Sequence, residues 1–85
     1  MAWVYVLRGT SGRYYIGSTD NLQRRLDEHQ RGHVHTTRRL GDRLHLVTTL
    51  EMPVMADART LERAMKHKKN PLLAIALLEQ KRLSR

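Results

Sequence analysis

The sequence begins with Ala2-Trp3-Val4-Tyr5-Val6-Leu7, six residues that are apolar at every position. A run so short and so uniformly apolar reads as a strand covered on both faces. The cluster that follows, Arg8-Gly9-Thr10-Ser11-Gly12, is a hairpin loop, and residues 13–18 return beside the first strand. All three tyrosines and the single tryptophan lie in these two segments, and there is no phenylalanine. A buried tyrosine needs a partner for its O–H. Side chains alternate along a strand, so Tyr5 and Tyr15 can meet on one face of the hairpin while Tyr14 packs on the other.

The remaining chain supplies covering elements. Thr19 or Asp20 is expected to cap a first helix, since both side chains accept from free backbone N–H groups. That helix runs to about Arg31 and stops at Gly32, a favourable residue just past a helix end. Residues 33–41 form a basic, polar loop. Residues 44–50, rich in Val and Thr, read as a third strand that Met52-Pro53 breaks. A second helix is expected over residues 55–68, with Ala58, Leu61 and Met65 as its buried stripe. Asn70-Pro71 opens a third helix, apolar on most sides through Leu78, and the charged tail over residues 79–85 is expected to fray. The expected fold is α/β in the broad sense (α+β), a small three-stranded, mainly antiparallel sheet flanked by three helices in the order β-β-α-β-α-α. Residues 1–85 are read as a single domain.

With no cysteine there is no disulfide framework, thiol nucleophile or thiolate metal site. The longest apolar run, residues 72–78, is far short of a membrane span, and the N-terminus shows no signal-peptide pattern. A soluble cytoplasmic protein is expected. The net charge is +8, and twelve of the sixteen basic residues are arginine. Arginine's planar fork suits phosphate, so the simplest reading of such a domain is an anion binder, most commonly of nucleic acid.

Helical angles sharpen this. With Leu22 at 0° and about 100° per residue, Leu26 falls near 40°, His29 near 340° and Arg25 near 300°. His29 therefore shares the only apolar stripe of the first helix, Arg25 borders it, and Arg24, Asp27 and Glu28 point away. An arginine and a histidine turned inward need an anionic partner or a cleft, because unpaired burial of charge is costly. On the second helix, with Ala58 at 0°, Glu62 lies near 40° on the inner flank of the stripe. It is either a structural partner for an arginine such as Arg25 or a hard oxygen ligand for Mg²⁺ or Mn²⁺. The inward polar set is thus Tyr5, Tyr15, Arg25, His29 and Glu62. It can supply a cation on a phosphate, a group to take a proton from water and help for a leaving oxygen. Its single carboxylate argues against a two-metal site. His33 and His35 have no third ligand spaced nearby, which makes a metal site there the weakest of these readings.

In order and spacing these residues resemble the GIY-YIG nuclease superfamily, most closely its small stand-alone bacterial members related to the UvrC N-terminal domain. The first motif stands as Trp3-Val4-Tyr5, with Trp3 in place of the glycine, and the second is intact as Tyr15-Ile16-Gly17. Arg25 in Asn21-Leu22-Gln23-Arg24-Arg25-Leu26, His29 one turn later and Glu62 in Thr60-Leu61-Glu62-Arg63 occupy the family's positions, with Lys66 following. The resemblance implies a metal-dependent DNA endonuclease. Glu62 would hold one divalent cation, Mg²⁺ or Mn²⁺, at the scissile phosphate, and Tyr5 would take or relay the proton of the attacking water. Arg25 would stabilise charge on the phosphate, Tyr15 would orient phosphate or water, and His29 would hydrogen-bond within the cluster. Gly17, lacking a Cβ, lets backbone or substrate come close.

DNA is the implied partner, with single-stranded or structured forms possible as substrate, and no membrane or small-molecule cofactor is expected. Arg24, Arg38, Arg39, Lys66 and Lys69 are the candidate phosphate contacts. The apolar third helix is either core or the face of a homodimer. The alternative function is a non-catalytic basic nucleic-acid-binding module, or a nuclease domain active only beside a partner.

Overall fold

Strand β1 (Ala2–Gly9) is the middle of a three-stranded antiparallel sheet ordered β2-β1-β3, with β2 (Tyr14–Thr19) and β3 (Leu44–Met52) at the edges. The structure, a computed structural model, describes residues 1–31, 43–68 and 70–83. The expected loop over residues 33–41 and the stop at Gly32 lie outside the described residues. Helices α1 (Leu22–Gln30), α2 (Met55–His67) and α3 (Pro71–Leu83) complete the order β-β-α-β-α-α.

The unbroken apolar run of β1 is explained by its place, because it serves two cores. On one face Ala2, Val4 and Val6 pack with Leu50, with Ala58, Leu61 and Met65 of α2, and with Ala74 and Leu78 of α3. On the other, Tyr5 and Leu7 pack with Leu44, Tyr15 and the two leucines of α1. Tyr14 joins the α2–α3 side, opposite Tyr15, as strand alternation requires. Gly12, at φ +87°, makes the tight turn of the β1–β2 loop that a side chain would strain. Between Val6 and Leu7 the pairing with β3 shifts, leaving Val47 as the extra residue of a bulge.

Two boundaries differ from the sequence expectation. The cap of α1 is Asn21, whose extended backbone lets Oδ1 accept from the Arg24 N–H at 3.1 Å. Thr19 remains in β2, and its hydroxyl accepts from the Asn21 N–H instead, at 3.1 Å. Asn21→Ala is therefore expected to cost about 1 kcal/mol. In a domain of this size that lowers Tm by about 4–8 °C. Asp20→Ala is expected to stay within about 0.5 kcal/mol, and a larger loss there than at Asn21 in thermal unfolding would contradict this assignment. The tail also does not fray where expected, since α3 continues to Leu83. Arg82 holds that end by donating to Thr48 Oγ1 at 3.2 Å and pairing with Glu79 at 3.3 Å.

The inner side of α3 is core through Ala74 and Leu78, while Leu72 and Leu73 are exposed. Among the described residues no helix is long and apolar enough to cross a membrane.

Candidate active site

Tyr5 and His29 form the buried centre of the site. Tyr5 is fully enclosed and His29 is 3% exposed. Their Oη and Nε2 atoms lie 2.9 Å apart. Tyr15 closes over both rings, edge-on to His29 at 5.1 Å and tilted to Tyr5 at 6.2 Å between centroids. The register explains the meeting. Tyr15 pairs with Leu7, Gly17 pairs with Tyr5, and all four residues share a face. A Cβ on Gly17 would stand 2.5 Å from Tyr5 Oη and 2.9 Å from Tyr15 Cε1, so the tyrosine ring lies where only a glycine leaves space.

Helix α1 brings His29 and Arg25 to this face, as its angles predict. Burial pushes the Tyr5 pKa up, and the Arg25 guanidinium beside its oxygen pulls only partly the other way. Tyr5 is a neutral phenol at neutral pH. The hydrogen bond to Tyr5 raises the Arg25 pKa further, fixing it as a cation. Burial, and then the positive field of Arg25, bring the His29 pKa down to about 4. Arginine can only donate, so it takes a lone pair of the Tyr5 oxygen. In the tautomer of neutral His29 that carries its proton on Nδ1, the Tyr5 O–H donates to Nε2.

This chemistry gives a pH dependence. Between its folded value of about 4 and its ordinary 6.5, His29 binds fewer protons in the folded protein than in the unfolded chain. Its contribution to stability is therefore complete above the ordinary value and is lost as pH falls through the folded one. At 1.36 kcal/mol per pH unit the loss approaches about 3 kcal/mol. Thermal unfolding of the wild type is expected to show this fall. His29→Gln, whose amide still accepts from Tyr5 but does not titrate, is expected to flatten it; parallel profiles would refute the assignment.

Glu62 stands differently from expectation. It projects from α2, on the sheet face opposite Tyr5, and meets the site around the edge of β2. Ser18 donates its hydroxyl to Glu62 Oε1, and Lys66 pairs with Oε2 at 2.6 Å. The Lys66 ammonium also lies 5.8 Å from the centre of the Tyr15 ring, which joins the two faces. Glu62 is still close enough to Tyr5 for its charge to oppose ionisation of the phenol. It is thus partnered by Lys66 and Ser18 among the described residues, and Arg25 pairs instead with Glu28 at 3.7 Å. Glu28, expected to point away, is half-buried and also reaches Arg24 at 3.8 Å.

Two adjoining grooves open here, of about 500 and 420 Å³, sharing Ser18, Met55 and Arg59 as their common floor and wall. Arg24, Arg25 and Glu28 line one, and Glu62, Arg63 and Lys66 line the other. Of the expected phosphate contacts Arg24 and Lys66 reach the grooves, and Arg38, Arg39 and Lys69 lie outside the described residues. The sequence reading missed Ser18, Glu28, Arg59 and Arg63. The helical wheel already contained two of them: with Ala58 at 0°, Glu62, Arg59 and Arg63 follow one another near 40°, 100° and about 140° on one flank.

A hairpin carrying a tyrosine pair, a first helix supplying arginine and histidine, and a second helix supplying a glutamate together make the pattern of a nuclease-type domain. The chain belongs to the GIY-YIG family, the GIY-YIG catalytic domain matching over residues 1–74. It is similar to the UPF0213 protein SG0387 of Sodalis glossinidius, at 55% identity over 29 residues. That match covers 34% of this chain and 27% of the relative, so it spans only about a quarter of the relative's length. In fold it is similar to the solution NMR structure of the UPF0213 protein BH0048 from Bacillus halodurans, with a TM-score of 0.57 and 27% identity over 91% of this chain and 83% of that one. Family membership suggests a nuclease-type function, and GIY-YIG nucleases are generally metal-dependent.

Proposed function

We propose that this chain is a DNA endonuclease that hydrolyses a phosphodiester bond with the help of one divalent cation, Mg²⁺ or Mn²⁺. The observation that carries the reading is the buried Tyr5–His29 hydrogen bond with Arg25 at its mouth, beside a groove that contains Glu62. Glu62 fits such a cation. Each carboxylate oxygen has two lone pairs, so the bonds to Ser18 and Lys66 leave acceptor capacity on both. A hard ion of this kind keeps waters and substrate oxygens in its shell and takes only one or two carboxylates from the protein. When bound, the ion would polarise a phosphate oxygen and acidify a bound water.

The chain's own groups do the rest. Arg25 is a third exposed, and its one carboxylate partner, Glu28, stands off at 3.7 Å, so a phosphate can recruit its fork away from Glu28 and the Tyr5 oxygen. That neutralises the cation whose field depresses His29, and His29 becomes a better base. Tyr5 can then accept the proton that the attacking water gives up as the water's oxygen bonds to phosphorus, while passing its own proton to His29 Nε2. Tyr15, half-buried above both rings, and Ser18, which fixes the Glu62 carboxylate, hold the geometry.

One observation favours a second reading. Tyr5 is fully enclosed and Lys66 sits on Glu62, as in a binding module, or a domain that becomes active only beside a partner. Matched single-stranded, duplex and branched DNA, incubated with the protein in Mg²⁺ or Mn²⁺ and in EDTA, separates the two. Metal-dependent cleavage of any substrate supports the nuclease. Salt-sensitive binding with no cleavage supports the second reading.

A further inference from the structure

The groove walls carry five cations, Arg24, Arg25, Arg59, Arg63 and Lys66, against three carboxylates. Every carboxylate is already paired: Asp20 with Arg24, Glu28 with both Arg24 and Arg25, and Glu62 with Lys66. Arg59 and Arg63 are left over. Both are exposed, and among the described residues neither side chain makes an ion pair or hydrogen bond. Other exposed arginines share that freedom, Arg13 on the hairpin loop among them, but only these two border Glu62 in the groove. They stand one turn apart on α2, about 5–6 Å between Cβ atoms, a spacing from which two long side chains reach neighbouring phosphates of one strand.

We propose that Arg59 and Arg63 form a phosphate-binding track on α2 that grips the nucleic-acid strand flanking the scissile phosphate. The track rests on the nuclease reading and deepens it, by assigning the strand a path from Arg25, over Ser18, along the outer side of α2. The cations already tied to carboxylates must exchange one anion for another when phosphate arrives. Arg59 and Arg63 exchange only water and counterions, so they supply most of the salt-dependent part of binding. Contacts of this kind position a backbone and read no sequence.

The test is binding in EDTA, which keeps the substrate intact, measured by fluorescence anisotropy on single-stranded and duplex DNA between about 50 and 200 mM salt. Arg59→Gln/Arg63→Gln is compared with the wild type and with Arg13→Gln, which lies at the far end of β2. Each lost contact lowers the slope of log K against log salt by about 0.9 on duplex and about 0.7 on single strand. The double variant is therefore expected to lose about 1.8 or 1.4, each single variant about half, and two unrelated sequences the same amount. A double variant that keeps the wild-type slope, or changes no more than Arg13→Gln, overturns the track while leaving the nuclease reading in place. A wild type that binds neither form of DNA overturns both.

Discussion

Glu62→Gln is expected to lower DNA cleavage at saturating metal by about a thousandfold or more. A divalent cation at a phosphate is worth several kcal/mol, and each 1.36 kcal/mol is a factor of ten in rate. The substitution is chosen because its structural cost is small. The amide oxygen of glutamine can still accept from Ser18, and the pair lost with Lys66 lies at the surface, Lys66 being half exposed. Pairs of that kind contribute about 0–1 kcal/mol. A fall in rate with an almost unchanged Tm is the signature of a group that acts on the chemistry. Cleavage that survives at the wild-type rate would remove Glu62 from the reaction. A fall in rate accompanied by a large fall in Tm would assign it to structure.

The distinction matters because Glu62 is where the sequence was least legible. Strand alternation placed Tyr5 with Tyr15, and the α1 wheel turned Arg25 and His29 inward; both arrangements are local, governed by periods of two and 3.6 residues. How α2 lies against the sheet is not local. The wheel put Glu62 on an inner flank, yet that flank faces the side of the sheet opposite Tyr5, and the carboxylate comes near the cluster only around the β2 edge, through Ser18. Nothing in the period of either element says which face of a sheet a later helix covers. The same limit applies to Glu28, which the wheel sent outward. Arg24 and Arg25 draw it back over the groove, an interaction that depends on long side chains. The α1 cap shows a finer limit, because Thr19, Asp20 and Asn21 are consecutive cap formers. The strand pairing that runs through Thr19 removes it from the choice, and it is the Asn21 side chain that takes the Arg24 N–H.

Gly17→Ala is expected to be the most damaging single-methyl change in the protein. In an ordinary strand, replacing glycine by alanine gains about 0.5–1 kcal/mol, since glycine loses the most freedom on folding. Here the new Cβ would stand 2.5 Å from Tyr5 Oη and 2.6 Å from Cζ, distances that side chains do not adopt. The Tyr5 ring must move, and it is enclosed on every side, so the methyl overpacks the face at a cost of about 1–3 kcal/mol. Displacing Tyr5 also breaks its bond to His29 and leaves a buried hydroxyl unsatisfied, a further 1–3 kcal/mol or about that. A total of about 2–6 kcal/mol is a large share of the roughly 5–15 kcal/mol that holds a domain folded. At about 4–8 °C per kcal/mol the fall in Tm is about 8 °C or more. Cleavage should be lost even well below the new Tm, because Tyr5 and His29 no longer align. Gly12→Ala is the control. Gly12 has open space around its missing Cβ and only its φ of +87° to strain, so it should lose about 1–2 kcal/mol and keep the cleavage rate. If the two variants lose stability equally and both still cleave DNA, Gly17 is no more than a strand glycine and the close packing of Tyr5 over it has no part in the chemistry.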